Sequence, residues 1–357
     1  MTALALPHLP SKMLRYLGKS APPVLARAAS SWTGPDVPTI DIRPLLNPQA
    51  STAARQPVLR RMQTACYEDG FFAIPTSVLP CDELLRNAYS SMDAFHALEP
   101  SVKAKYHLQK VPNERGWTPL HQEPSHFPGV VAHLEGYDVA RELPASYLAL
   151  DDGLGPNVWP NDELPSFRHH VTALYDALTV VADGLFEGFA EMLHLPRHTF
   201  RQFHTAEAQA GMRLLTYPAN DAPMDETNVG IAEHTDFECF TLLHQTNWGL
   251  QLTTRRGTVV NVPVATDQFL VLIGDVLERW TNGELVATPH RVLNTPGKRQ
   301  SIARFNGTQR STVIAPLPGF VSSGRPARYA PVTQRQHTLN AITGPYTSSL
   351  SEKNTLG

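Results

Sequence analysis

From Met212 onward the chain is a succession of short runs of Val, Ile, Leu, Phe and Thr, cut at intervals by Gly, Asn and Pro. Runs of that length and composition read as strands, and the breakers between them as turns. A series of short strands must close two apolar faces on one another, and a double-sheet jelly roll is the expected solution. The clearest helix precedes it. Between Leu164 and Leu195, apolar residues at 171, 174, 178, 181, 185, 189 and 193 recur at intervals of three and four, which makes one buried stripe. Helices are also expected over 54–69 and Cys81–Ala97, with Gly70 ending the first and Phe71–Ile74 following as a buried strand. Val37–Asp41 reads as a short strand, Asn282-Gly283 as a two-residue hairpin turn, and Trp248 and Trp280 as core. The fold class expected is mainly β with flanking helices around a jelly-roll (double-stranded β-helix) core. In order, the chain divides into an extension (1–36), a region of helices, loops and first strands (37–205), the jelly-roll region (206–345) and a tail (346–357).

Within the β series, three residues have the makings of a metal site. His234 and Asp236 form a His-x-Asp pair at the head of an apolar run that includes Phe237, Phe240, Leu242 and Leu243. Side chains at i and i+2 of a strand leave from one face, so an imidazole and a carboxylate point into one space. The pair alone is a weak signal. Several strands later, the strand after Asn282-Gly283 carries His290, a second imidazole. Two His and one carboxylate occupy one face of an octahedral ion and leave three positions open, the arrangement of non-haem Fe(II) oxygenases. Shortly after comes Arg299-x-Ser301. A guanidinium and a hydroxyl on one strand face grip a carboxylate, the first through a bidentate, charge-assisted pair.

His234-Thr235-Asp236, Gly249-Leu250-Gln251, Gly274-Asp275, Thr281-Asn282-Gly283, His290-Arg291-Val292 and Arg299-Gln300-Ser301 together resemble the isopenicillin N synthase-like branch of the 2-oxoglutarate/Fe(II)-dependent oxygenases. The resemblance implies His234, Asp236 and His290 as iron ligands and as the catalytic centre, with Fe(II), 2-oxoglutarate and O2 as cofactors and ascorbate as an accessory reductant. It implies that 2-oxoglutarate is decarboxylated to succinate and carbon dioxide, leaving an Fe(IV)-oxo species that takes a hydrogen atom from the substrate. Arg299 and Ser301 then match the clamp for the distal carboxylate, and Tyr217 a tyrosine that hydrogen-bonds the co-substrate. The plant-type pattern has Asn where this chain has Leu215, which removes one contact to the co-substrate. Some relatives use Arg-x-Ser for the carboxylate of their own substrate, so an oxidase that needs no 2-oxoglutarate is the alternative, and a non-catalytic ligand-binding jelly roll a remoter one. Arg213 and Phe305 match positions that often face substrate. A strand salt bridge is the competing reading for the first, and plain core for the second.

Other features narrow the class. A net charge of −3 gives no global field toward nucleic acid or an anionic membrane, and no basic, aromatic-interleaved groove is visible. No stretch of about 18 uninterrupted apolar residues is present. Three cysteines in 357 residues give no disulfide framework, which suits a reducing, cytoplasmic setting. Cys239 reads as small buried filler. Residues 1–35 combine Lys12, Arg15, Lys19 and Arg27 with Ala, Ser and Pro, a composition shared by organelle transit peptides and by surface extensions. The pairs His121-x-Glu123 and His133-x-Glu135 are not followed by the rest of the motif and read as solvated or loop residues, and His169, His170 and His194 as surface or packing histidines. The expected substrate is a small molecule of specialised metabolism that is hydroxylated, desaturated, cyclised or rearranged. Its pocket is expected from the loops around 107–145, the strand near Arg213 and the segment after Phe305.

Overall fold

Strands that are apolar at almost every position must be covered on both faces. The computed structural model, which describes residues 37–111, 113, 115–123, 131–150, 153–220 and 229–343, covers them with helices on one side and a second sheet on the other. The strands of the two larger sheets are β1 (Phe71–Pro75), β2 (Gly116–Thr118), β3 (Glu135–Val139), β4 (Met212–Tyr217), β5 (Ile231–His234), β6 (Phe240–Gln245), β7 (Leu250–Thr253), β8 (Val259–Asn261), β9 (Gln268–Ile273), β10 (His290–Val292) and β11 (Arg299–Asn306); Val313–Ile314 and Val332–Thr333 pair as a small third sheet. The helices are α1 (Arg43–Leu46), α2 (Thr52–Glu68), α3 (Glu83–His96), α4 (Pro100–Lys103), α5 (Phe167–Met192), α6 (Asp275–Trp280) and α7 (Gln334–Thr343). A seven-stranded sheet runs β1-β9-β6-β11-β4-β3-β2 and a four-stranded sheet β5-β10-β7-β8, every pairing antiparallel. This is the expected jelly-roll core with flanking helices.

The period-two rule sorts the core into two layers. On β9, Phe269, Val271 and Ile273 join the layer that meets the helices, while Leu270 and Leu272 join the layer between the sheets. On β4, Met212 and Leu214 face the helices, and Leu215 and Tyr217 the space between sheets. The stripe on α5 is buried as its spacing requires, at Val171, Leu174, Leu178, Val181, Leu185 and Phe189. Burial of side chains this size contributes about 1.5–3 kcal/mol each before entropy is counted. The helix itself is shorter than expected at both ends.

Four sequence expectations need correction. Val37–Asp41 forms no strand of its own; Thr39 makes a single parallel bridge to Ala73. Asn282-Gly283 is not a hairpin. Both residues have positive φ (52° and 78°), as such a turn needs, but they end α6. The Gly283 N–H donates to the Glu278 carbonyl (2.8 Å) and that of Asn282 to Arg279 (3.2 Å), the hydrogen-bond pair of a helix C-terminal cap. Trp248 is 39% exposed, whereas Trp280 is buried against Phe200. Asp236 lies beyond the end of β5, in the turn toward β6, so strand alternation does not explain its direction. Residues 1–36 and the tail fall outside the described residues.

Candidate active site

His234 and His290 are brought together by pairing. β5 and β10 are antiparallel neighbours in the small sheet, and the two histidines stand opposite each other. Each ring Nδ1 lies beside the carbonyl of the residue two positions earlier, Ala232 (2.9 Å) and Thr288 (3.0 Å). A carbonyl only accepts, so Nδ1 carries the proton and Nε2 offers its lone pair. Both Nε2 atoms stand 3.7 Å from Oδ1 of Asp236. The other oxygen, Oδ2, accepts a hydrogen bond from the Thr241 hydroxyl. The three ligand atoms lie within 4.8 Å of one another. Donors about 2.1 Å from an octahedral ion and at right angles stand about 3 Å apart, so this set closes on an ion with small shifts.

Asp236 is held by main chain as well. The Asp275 N–H donates to the Asp236 carbonyl (2.9 Å) and the Gly274 N–H to that of Cys239 (2.9 Å). A Cβ at Gly274 would fall 2.3 Å from the Glu238 carbonyl oxygen and 3.1 Å from that of Asp236. Only glycine allows this approach of two backbones. Gly274 is therefore a positioning residue for the turn that carries Asp236, and Thr241 another; sequence reading named neither role.

Arg299, Ser301, Ala303 and Phe305 alternate along one face of β11 and line the same cavity as the triad, which has a volume of about 730 Å³. Arg299 is fully buried. Its guanidinium donates to Gln245 Oε1 (2.9 Å), stands 3.4 Å from Ser301 Oγ, and lies over the Tyr217 ring, 4.7 Å from its centre. Among the described residues it meets no carboxylate, and its Nε is buried without a partner. Burial pulls its pKa below the ordinary value and raises that of Tyr217, yet a guanidinium remains charged at neutral pH. A buried, unmatched cation costs stability unless an anion arrives to meet it. Leu215 sits beside this clamp in the lining and supplies no polar atom.

Arg213 also lines the cavity, but its charge is already met. It pairs with Asp138 (2.7 Å) and, through two nitrogens, with Glu123. Burial opposes the Arg213 charge, the two carboxylates outweigh it, and its pKa stands well above the ordinary value. His121, Glu123 and His133 are loop residues as expected, while Glu135 lies on β3, and their side chains are engaged rather than solvated except at the exposed His121. Glu123 belongs to this network, Glu135 takes Lys103 and the Trp117 Nε1 (2.6 Å), and the His121 and His133 rings contact each other. Glu238 lies near Asp236. Burial, with Asp236 and Asp275 adding to it, pushes its carboxyl up to about 8, and it takes a hydrogen bond from Gln209 (3.0 Å). Phe305 is half-buried at the cavity wall. Of the expected pocket segments, 107–145 and the strand near Arg213 contribute, and so does α7 through Thr338, Ala341 and Ile342.

Comparison with known proteins shows the family. Residues 200–308 match the family model described as the 2OG-Fe(II) oxygenase superfamily. Residues 37–162 match the model described as the N-terminal part of the non-haem dioxygenase in morphine synthesis. The 2-oxoglutarate-dependent dioxygenase traH of Penicillium crustosum is 32% identical over 280 residues, 75% of this chain and 83% of the relative. Clavatol oxidase claD of the same fungus is 28% identical over 330 residues, 87% of this chain and 96% of the relative. A full-length Neurospora crassa protein, solved in complex with alpha-KG, has the same fold, with a TM-score of 0.74 at 20% identity over 87% of this chain and 96% of that one.

Proposed function

This chain belongs to the 2OG-Fe(II) oxygenase superfamily, and from that premise we propose that His234, Asp236 and His290 hold its ferrous ion and that Arg299, with Ser301 and Tyr217, seats 2-oxoglutarate. The enzyme is a 2-oxoglutarate-dependent Fe(II) dioxygenase. The observation that carries the residue assignment is Arg299, a buried cation that meets no carboxylate among the described residues, in the same cavity as three converging donors. A dicarboxylate with a keto group answers both ends: its distal carboxylate meets the guanidinium, and its other end reaches the ion.

When bound, the ferrous ion and 2-oxoglutarate supply the oxidant, with the balance substrate, O2 and 2-oxoglutarate giving hydroxylated product, succinate and carbon dioxide. The protein's own residues orient and exclude. Backbone carbonyls at 232 and 288 fix the imidazole tautomers, and Thr241 holds Oδ2 of Asp236 while Oδ1 faces the two imidazoles. Leu215, Leu243, Leu250 and Val292 line the cavity beside clamp and triad and keep it apolar there, which limits water near a reactive centre. Ser301, buried beside Arg299, offers its hydroxyl to the same carboxylate.

The substrate proposed is a small organic molecule of specialised metabolism. Support comes from the size of the cavity, about 730 Å³, and from relatives named as 2-oxoglutarate-dependent dioxygenases and as clavatol oxidase. A cytoplasmic setting is proposed on three free cysteines, two of them buried. Among the described residues no helix is long and apolar enough to cross a membrane. Anaerobic addition of Fe(II) and 2-oxoglutarate should give the weak visible charge-transfer band of the bound keto acid, lost in Asp236→Ala. Succinate should then form on admission of O2. A wild-type protein that binds iron but neither shows the band nor releases succinate would favour the oxidase without 2-oxoglutarate.

A further inference from the structure

The cavity is basic at two places, and the keto acid accounts for only one. Arg299 and Phe305 lie six residues apart on one face of β11, about 20 Å of strand at ~3.3 Å per residue. β3 pairs with β4 so that Val139 stands opposite Met212, and Arg299 stands opposite Tyr217 at the other end of β4. Arg141, two residues past Val139, therefore lies at the end of the cavity away from Arg299, and the lining there also includes Arg115 and Arg310.

Each arginine has a different place. Arg115 is buried and structural: it donates to the carbonyls of Arg141 (2.9 Å), Gly155 (2.8 Å) and Gly153 (3.2 Å) and to Asn157 Oδ1 (3.1 Å), which ties the wall together. Burial lowers its pKa to about 10, with Tyr175 and Glu142 opposing the shift and Arg310 adding to it, so it remains a cation. Arg310 occupies room left by Gly153, whose Cβ would fall 2.5 Å from its guanidinium. Arg141 is half-buried, its Nε is enclosed without a hydrogen-bond partner, and it meets no carboxylate among the described residues. It also lies close enough to the buried Arg304 to disfavour that residue's charge. The carboxylates of the lining are committed elsewhere, Glu123 and Asp138 to Arg213, Asp236 to the triad and Glu238 to Gln209. A cation that meets no carboxylate among the described residues, at a wall whose lining acids are already engaged, forms a site for an anion that comes from outside.

Resting on the functional reading above, we infer that this end of the cavity is an oxyanion subsite with Arg141 as its recognising cation, and that the substrate is a small organic acid. Its carboxylate docks at Arg141 and its carbon skeleton extends past Phe305 toward the triad. The dioxygenase thus takes two acids, one at each basic place, and separates them by position. Arg213 contributes no attraction, since its own carboxylates neutralise it.

The test uses the full chain with Fe(II), saturating 2-oxoglutarate and no O2, so that the Arg299 site is filled. Calorimetry then compares 3-phenylpropionate with 3-phenylpropionamide, which share shape and differ in charge. The acid should bind about tenfold or more tightly than the amide. The preference should vanish in Arg141→Gln and survive in part in Arg141→Lys, while the charge-transfer band reports that each variant still assembles its site. Equal binding of the two probes by the wild type, including no binding of either, overturns the inference. So does a preference that persists in Arg141→Gln. Absence of the band in the wild type sinks the iron and keto-acid reading instead, a failure recorded before any probe is added.

Discussion

Replacing Arg299 by Met separates its cost to the fold from its service to the ligand. In the free enzyme the guanidinium is buried, donates to Gln245 Oε1 and faces no carboxylate among the described residues. Exchanging an unmatched buried charge for an apolar side chain of similar reach gains about 1–4 kcal/mol. Stranding Gln245 Oε1 costs about 1–3 kcal/mol. The two nearly cancel, so the unliganded variant should melt within a few degrees of wild type, at about 1–2 °C per kcal/mol for a chain of this length. Ligand response should differ sharply. Two charge-assisted bonds to the keto acid's distal carboxylate are worth about 3–6 kcal/mol, which predicts about 10²–10⁴-fold weaker binding. At about one hundred times the wild-type Kd, 2-oxoglutarate added to the Fe(II)-loaded protein should raise the wild-type melting point by about 3–5 °C and leave the variant's nearly unchanged. Anaerobic calorimetry and thermal melts read both quantities. If the unliganded variant loses about 3 kcal/mol or more, the scale of a broken buried ion pair, Arg299 serves an internal partner and the reasoning is wrong. An undiminished affinity for 2-oxoglutarate refutes it equally.

Three further outcomes follow from the same geometry. Thr241→Val keeps shape but removes the hydroxyl that holds Asp236 Oδ2; Fe(II) affinity should fall about 10–100-fold by equilibrium dialysis. Gly274→Ala drives a methyl into the Glu238 carbonyl, so it should cost about 1–3 kcal/mol in denaturant titrations and weaken iron binding through the displaced Asp236 turn. Burial lowers the pKa of His204 to about 4, with the nearby Asp183 opposing the shift. Its neutral form is thus the native one. The unfolded chain takes up the proton first, so this contribution is complete above about pH 6.5 and is lost as pH falls toward 4, about 3 kcal/mol in all. Urea midpoints measured across that window should drop for wild type and flatten for His204→Gln; parallel curves would contradict the assignment.

What the sequence disclosed was whatever repeats with a period or depends on spacing. The stripe of α5, the alternating strands, and the order of His234, Asp236, His290 and Arg299 all belong to that class. What it hid was set by tertiary context. Asn282-Gly283 satisfies the positive-φ demand of a hairpin and of a helix cap alike; the cap won because Asn282 is buried, with its side chain bonded to the carbonyls of Phe320 and Pro326 (both 3.0 Å). Arg213 carries no sign in the sequence that Asp138 and Glu123, on another strand and a loop, will neutralise it. The importance of Thr241 depends on a turn that brings Asp236 back over β6, and that of Gly274 on a backbone contact between residues far apart in the chain. Arg141 stands out only once register places it at the far end from Arg299.

The two imidazoles hang from the four-stranded sheet, the clamp belongs to the seven-stranded one, and Asp236 sits on the stretch that crosses between them. On the proposed assignment, a keto acid held by Arg299 and by the ion at once would act as a tie-rod across the sandwich. Filling the site should therefore stiffen the gap between layers, and amides of β5 and β10 should exchange with solvent more slowly once ion and keto acid are both in place.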